Sequence, residues 1–212
     1  LFLFFEIMGL TSFVMVIQEE TAAAGRAART YLAIAVIGGL CALFGIFMIA
    51  AGTGNLSMDS LEQFRKATGG TWPLYLAGAL LLAGFGAKAG MYPLHVWLPN
   101  AHPVAPAPAS ALLSGILTKT GVFGILMVTV TMFRHDRVWG MVLLAPGAVT
   151  MVLGAILAVF SIDLKRTLAC SSMSQIGFIL TGCSMQCLLG EENGLAVSGT
   201  VLHMVNHSMI KL

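Results

Sequence analysis

From Tyr31 to Gly52 the chain runs without one charged residue. About 20 mostly apolar residues suffice to cross a bilayer core as a helix. Lipid offers no partner for a bare backbone N–H or C=O, so a spanning segment must satisfy its own hydrogen bonds. Similar stretches occupy 1–17, 73–98, 109–133, 138–161, 167–189 and the residues from Leu195 onward. They are too long for strands, and they lack the in–out alternation of a barrel wall. Composition agrees: 58% of residues are hydrophobic and 9% charged, against about 25% charged in soluble domains. Too little polar surface exists to coat a soluble sphere. The expectation is an all-α, polytopic transmembrane helix bundle forming one domain over 1–212, with the lipid bilayer as its solvent. The net charge of +2 comes with no basic face, which argues against nucleic acid as a partner.

The linkers read as a polar stretch from Gln18 to Thr30, a glycine-bearing loop from Gly52 to Thr71, and a connection holding Pro99, Pro103, Pro106 and Pro108. Gly90 and Pro93 fall inside the 73–98 span and predict a broken helix between Gly86 and Pro93. Basic residues divide evenly between alternate linkers, Arg26, Arg29, Lys165 and Arg166 against Arg65, Lys66, Arg134 and Arg137. That gives no orientation by the positive-inside rule. Leu1 opens in mid-run with no charged region before it, unlike a signal peptide, and Leu212 lies in another apolar segment. A chain cut from a longer fold at both ends is expected. Cys41, Cys170, Cys183 and Cys187 form no CxxC pair; Cys183 and Cys187 read as small packing residues.

Most charges fall in linkers. Glu6, Lys88, Lys119 and Lys211 do not, and His203 and His207 join them. A charge at mid-bilayer costs about 2.5–3.5 kcal/mol on insertion scales, so such residues face a wet interior or a partner. Lys119 lies near the centre of its span in Ser114-Gly-Ile-Leu-Thr-Lys-Thr-Gly121, too central to snorkel easily to the headgroups. Lys88 sits in Gly84-Phe-Gly-Ala-Lys-Ala-Gly90 ahead of Pro93. Its bland reading is a lysine at a helix end; its functional reading is a broken helix lining a cavity. The glycines mimic a phosphate loop but lack the GxxxxGK[ST] spacing. His203, His207 and Lys211 recur every fourth residue, a step of about 40° around a helix, so they share one stripe. Histidine changes charge near neutral pH, which favours a relay. Metal binding by the two histidines is the rival, and it wants a third ligand that the neighbouring sequence does not offer. Glu6 is the one acid inside a span, and a buried carboxylate wants a cation or turns neutral. No hydrolytic, haem, iron–sulfur or nicotinamide motif is present.

Three blocks then carry a resemblance. Lys88-Ala-Gly-Met-Tyr-Pro-Leu-His-Val-Trp-Leu-Pro-Asn-Ala-His-Pro103 is followed by Pro108-Ala-Ser-Ala-Leu-Leu-Ser-Gly-Ile-Leu-Thr-Lys-Thr-Gly121. Asp163-Leu-Lys-Arg-Thr-Leu-Ala-Cys-Ser-Ser-Met-Ser-Gln-Ile-Gly177 and His203-Met-Val-Asn-His-Ser-Met-Ile-Lys211 complete the set. In this order they resemble the antiporter-like subunits of respiratory complex I, which are related to subunits of membrane-bound hydrogenases and multi-subunit sodium/proton antiporters. Leu94-His95-Val96-Trp97 and Ala101-His102-Pro103 are more similar to the hydrogenase branch than to mitochondrial complex I.

The resemblance implies a role for each buried charge. Glu6 matches a glutamate whose partner is the lysine of a broken helix, matched by Lys88. Lys119 matches a second lysine that connects half-channels. His203, His207 and Lys211 match a central polar axis. The family's exit-side charge lies on a helix later than any in this sequence, so a fragment of a larger antiporter-like fold is expected.

The expected function is proton translocation in a complex I-type NADH:quinone oxidoreductase or a related membrane-bound hydrogenase. Electron transfer would take place in other membrane and peripheral subunits of the assembly, with no cofactor or metal in this subunit. The expected location is an energy-transducing membrane, of the prokaryotic cytoplasmic kind. Two rivals remain: a Na⁺/H⁺ antiporter subunit, and a non-conducting structural anchor. Sodium prefers oxygen ligands, whereas the spans hold three lysines and one acid. An anchor has no reason to carry charges at depth.

Overall fold

A computed structural model describes residues 2–190 and 194–211. Every regular element among them is helical. Helix α1 covers Phe2–Ile17, α2 Ala22–Thr53, α3 Ser60–Thr68 and α4 Trp72–Ala89. A 3₁₀ turn, Leu94–Val96, leads into α5, Trp97–Val104. Helix α6, Ala107–Leu112, passes through a π-helical turn, Leu113–Leu117, into α7, Thr118–Met132. Helices α8 (Arg137–Val159), α9 (Leu164–Leu188) and α10 (Gly194–Lys211) follow. Five stretches are long and apolar enough to cross a membrane: α2, α4 with α5, α6 with α7, α8 and α9. Helix α1 is apolar but shorter. The chain is an all-α transmembrane bundle.

Local chemistry sets the helix ends. Thr21 accepts from the Ala24 N–H at 3.0 Å and starts α2. That start lies within the Gln18–Thr30 stretch expected to be a linker, so Arg26 and Arg29 ride on the first turns of α2. The N-cap hydroxyl and the run of alanines outweigh the polarity of those arginines. Asp136 and Asp163 cap α8 and α9 in the same way. The Gly52–Thr71 loop contains α3, whose Ser60 and Phe64 turn inward. The proline-rich connection is largely helical too. Pro99 lies in the first turn of α5, where a missing N–H costs nothing, and α5 ends one residue after Pro103.

The helices approach closely through small residues, as lipid-embedded helices do. A Cβ built on Gly84 would lie 2.6 Å from the Ala42 methyl, which fixes how closely α2 and α4 pack. Helix α9 lies against α8, α5, α7 and α10 and forms the spine of the bundle.

Candidate ion-translocation site

Helix α4 stops where glycine and proline predicted a break. Gly90 takes the left-handed conformation at φ +79°. Its N–H and that of Met91 both donate to the Gly86 carbonyl, each at 2.9 Å. Trp97 of α5 donates its indole N–H to the Ala87 carbonyl at 2.8 Å, satisfying another of the helix-end acceptors and tying the two halves together.

Lys88 therefore does stand in the last turn of a helix, but it is not a surface lysine, being 5% exposed. Its ammonium lies 4.8 Å from the centroid of the Phe5 ring. It packs so closely on α1 that a Cβ on Gly9 would lie 2.7 Å from Nζ. Glu6, one residue on from Phe5, lies within electrostatic reach of Lys88. No ion pair within 4.0 Å joins them among the described residues. The Glu6 carboxyl instead packs against Gly39 of α2.

Lys119 follows the π-turn, where the Thr118 N–H reaches back to the Leu113 carbonyl. Such turns replace the regular ladder over a few residues and concentrate at functional sites. Here the Ser114 carbonyl accepts from Thr118 Oγ1 at 2.9 Å and from the Lys119 ammonium at 2.5 Å. Lys119 is 8% exposed. Across the interface, Ser114 Oγ and Ser172 Oγ of α9 hydrogen-bond at 2.7 Å. Ser172 donates in turn to the Leu168 carbonyl at 2.9 Å. Lys211 of α10 reaches that same carbonyl at 3.1 Å and Ser171 Oγ at 2.7 Å. Hydrogen-bonded groups thus run from the Lys119 acceptor to the Lys211 amine.

The stripe on α10 turns toward this axis. His203 Nε2 pairs with Gln175 Oε1 of α9 at 2.8 Å. His207 is buried within electrostatic reach of Lys119, Lys211 and His203. Neither of its ring nitrogens has a partner among the described residues. His102 of α5, buried as deeply, shares a hydrogen bond of 2.6 Å with Ser110 and lies within electrostatic reach of Lys211, Lys119 and Lys165. The structure thus groups Lys119, His207 and Lys211 with His203 beside them, and holds Glu6 and Lys88 as a separate pair between α1 and α4.

Ser172, Gln175 and His102 were not read as site residues from the sequence, though each lies in a recognised block; Ser114 stands among the hydroxyls flanking Lys119 that could line a hydrated path. Serine in a membrane helix commonly bonds back to its own backbone. Only the packing of the π-turn on α9 shows which serines face one another. No group of three or more His, Cys, Asp or Glu is placed to hold a metal among the described residues. Cys183 and Cys187 are buried thiols, and Cys187 contacts the Phe133 carbonyl at 3.1 Å.

The family model described as NADH:quinone oxidoreductase/Mrp antiporter, TM, matches residues 1–212. The chain belongs to this family. It is 36% identical over 215 aligned residues to hydrogenase-4 component B of Escherichia coli, covering 98% of this chain and 32% of that protein. It is 30% identical to a Na⁺/H⁺ antiporter subunit of Alkalihalophilus pseudofirmus, covering all of this chain and 42% of the relative. Among solved structures, a chain of the Mrp complex from Dietzia superposes with a TM-score of 0.88 at 25% identity, over 99% of this chain and 38% of its own length. A chain of an archaeal respiratory membrane complex, the membrane-bound sulfane sulfur reductase, gives a TM-score of 0.88 at 26% identity, over 100% of this chain and 42% of its own. The chain thus spans about a third to two-fifths of the length of these family members.

Proposed function

We propose that this chain carries protons within a membrane subunit of a complex I-type NADH:quinone oxidoreductase or a related membrane-bound hydrogenase, in an energy-transducing membrane. The observation that carries the reading is the grouping of buried Lys119 and His207 with part-buried Lys211 where α7 and α10 meet α9, with Lys119 and Lys211 linked through Ser114, Ser172 and the Leu168 carbonyl. Buried ionisable groups inside a membrane bundle mark ion pathways, and amines and imidazoles exchange protons. Lys119 relays. His203, His207 and Lys211 extend the path along the membrane axis. Glu6 sets the charge preference of Lys88 from across α1. Electrons pass through partner subunits, and this subunit holds no redox cofactor.

A second reading is favoured by the likeness to a Na⁺/H⁺ antiporter subunit: the same axis moves the proton that exchanges for sodium. The test uses the full-length protein in its complex, reconstituted in vesicles. Proton uptake driven by electron transfer and unchanged without sodium supports the first reading. Uptake that requires a sodium gradient supports the second. Vesicles in which neither drive moves protons would overturn both and leave a structural anchor.

A further inference from the structure

The charged end of the bundle around α3 has no part in the proton axis. Helix α3 lies over the point where α4 begins and α7 turns into α8. Between them opens a cleft of about 580 Å³, lined by Arg65, Lys66, Arg134 and His135 together with Glu62 and Asp136.

Both acids are already engaged. Lys66 pairs with Glu62 at 2.8 Å and holds that carboxyl below its usual range. Asp136 caps α8 by accepting from the Val138 and Trp139 N–H groups at 2.9 and 3.1 Å, and its second oxygen accepts from the Tyr75 hydroxyl at 2.6 Å. Two guanidiniums remain. Arg65 Nη2 donates to the Arg134 carbonyl at 3.3 Å, and Arg134 Nε donates to His135 Nε2 at 3.2 Å. Each of these bonds uses one of five N–H groups, so most of both forks stays available to a ligand. His135 holds φ +63°, a left-handed conformation that a non-glycine residue adopts at a cost. The strained turn sets Arg134 beside the cleft.

Depth identifies the ligand. The apolar spans end here, at Thr71, Phe133 and Asp136, which places the cleft at headgroup level. The adjoining linker exposes Leu56 (73%), and Trp72, the first residue of α4, is also exposed (72%). An amphipathic ring at a span end belongs to the interfacial aromatic belt. A cleft at the opposite end of α8, about 320 Å³, holds one cation, Arg166, beside Asp163. It has no guanidinium pair.

We propose that the Arg65–Arg134 cleft binds the phosphate of an anionic lipid headgroup. Guanidinium forks match phosphate oxygens in geometry as well as charge, and Leu56 and Trp72 seat the flanking linker among the acyl chains. This inference stands independently of the proton reading.

The full-length protein in its complex, in nanodiscs of phosphatidylcholine with or without phosphatidylglycerol, provides the test. Native mass spectrometry reads retained phosphatidylglycerol, and thermal unfolding reads its stabilising effect. The wild type should retain the lipid. Arg65→Gln with Arg134→Gln should lose about tenfold or more in apparent affinity, whereas Arg166→Gln at the other cleft should not. Arg65 also braces a backbone carbonyl, so Arg65→Lys with Arg134→Lys is measured beside it. Keeping the charge but losing the forks should leave an intermediate affinity. Equal retention by wild type and both double variants would overturn the proposal. Inorganic phosphate added to purely neutral discs separates the sources: a stabilisation matching that of the lipid would overturn a lipid site in favour of a free-anion site.

Discussion

Lys88 and Lys119 sit on adjacent, tightly packed helices and are almost equally buried, 5% and 8% exposed. Their surroundings differ in kind. The Lys88 amine meets an aromatic face and a glycine, with an acid of another helix in electrostatic reach. The Lys119 amine meets a carbonyl and a hydroxyl of its own helix. A lysine at membrane depth needs local negative charge, and the fold supplies it by two distortions. Helix α4 ends, and its C-terminal carbonyls carry partial negative charge. Helix α7 widens into a π-turn, which brings one carbonyl within reach of the amine. Lys88 thus has the acid of α1, Glu6, within electrostatic reach. Lys119 is held from within and is linked through Ser114 to α9.

The largest expected effect lies at Lys119. Lys119→Ala should reduce proton uptake by on the order of 100-fold, the usual contribution of a positioned proton-transfer group, while the complex still assembles. Lys119→Arg should fail as well, because arginine does not release its proton. Normal uptake with arginine would make Lys119 a fixed counter-charge and erase its difference from Lys88.

Next comes the seam between the two lysines. A Cβ on Gly121 would lie 2.6 Å from the Ala89 nitrogen of α4. Gly121→Leu should therefore destabilise the protein by about 1–3 kcal/mol through overpacking, read as a lower unfolding temperature in detergent. An unchanged temperature would mean that α4 and α7 can move apart freely.

Glu6→Gln should lower uptake several-fold without touching stability, and less than Lys119→Ala does. Equal losses in the two variants, measured in the same vesicles, would break the distinction between a tuning acid and a relay lysine. The smallest effect is expected at Phe5. Phe5→Leu keeps an apolar side chain but removes the ring face under Lys88, worth about 0.5–1 kcal/mol. The midpoint of thermal unfolding should fall slightly, and a fall as large as that of Gly121→Leu would show that the ring carries packing rather than charge.

The break at Gly90 could be read in advance because glycine and proline restrict the backbone locally, whatever surrounds them. The stripe of His203, His207 and Lys211 was legible for a related reason: helical periodicity is local geometry. The π-turn before Lys119 was not, since Leu113–Leu117 contains no residue that forbids an ordinary helix. The start of α2 was misplaced because a few arginines resemble a linker when nothing shows that Thr21 caps the helix behind them. The Glu6–Lys88 relationship sits between these cases. Both residues stood out as costly charges, but that Lys88 lies over Phe5 and that Glu6 leans on Gly39 depend on how α1 meets two other helices.

Hydrophobic run length, helix-breaking residues and the position of charges within spans were enough to determine the class of fold, the break in α4 and which ionisable residues stand within the spans. Each follows from the cost of placing backbone or charge in hydrocarbon, which is paid residue by residue and so is written locally. Which of those residues share an axis was decided only in the tertiary structure. Ser114 meets Ser172 across 58 residues of chain, and Lys211 meets Ser171 across 40. Pairing at such separations depends on the relative rotation of packed helices, and no local property of either partner specifies it.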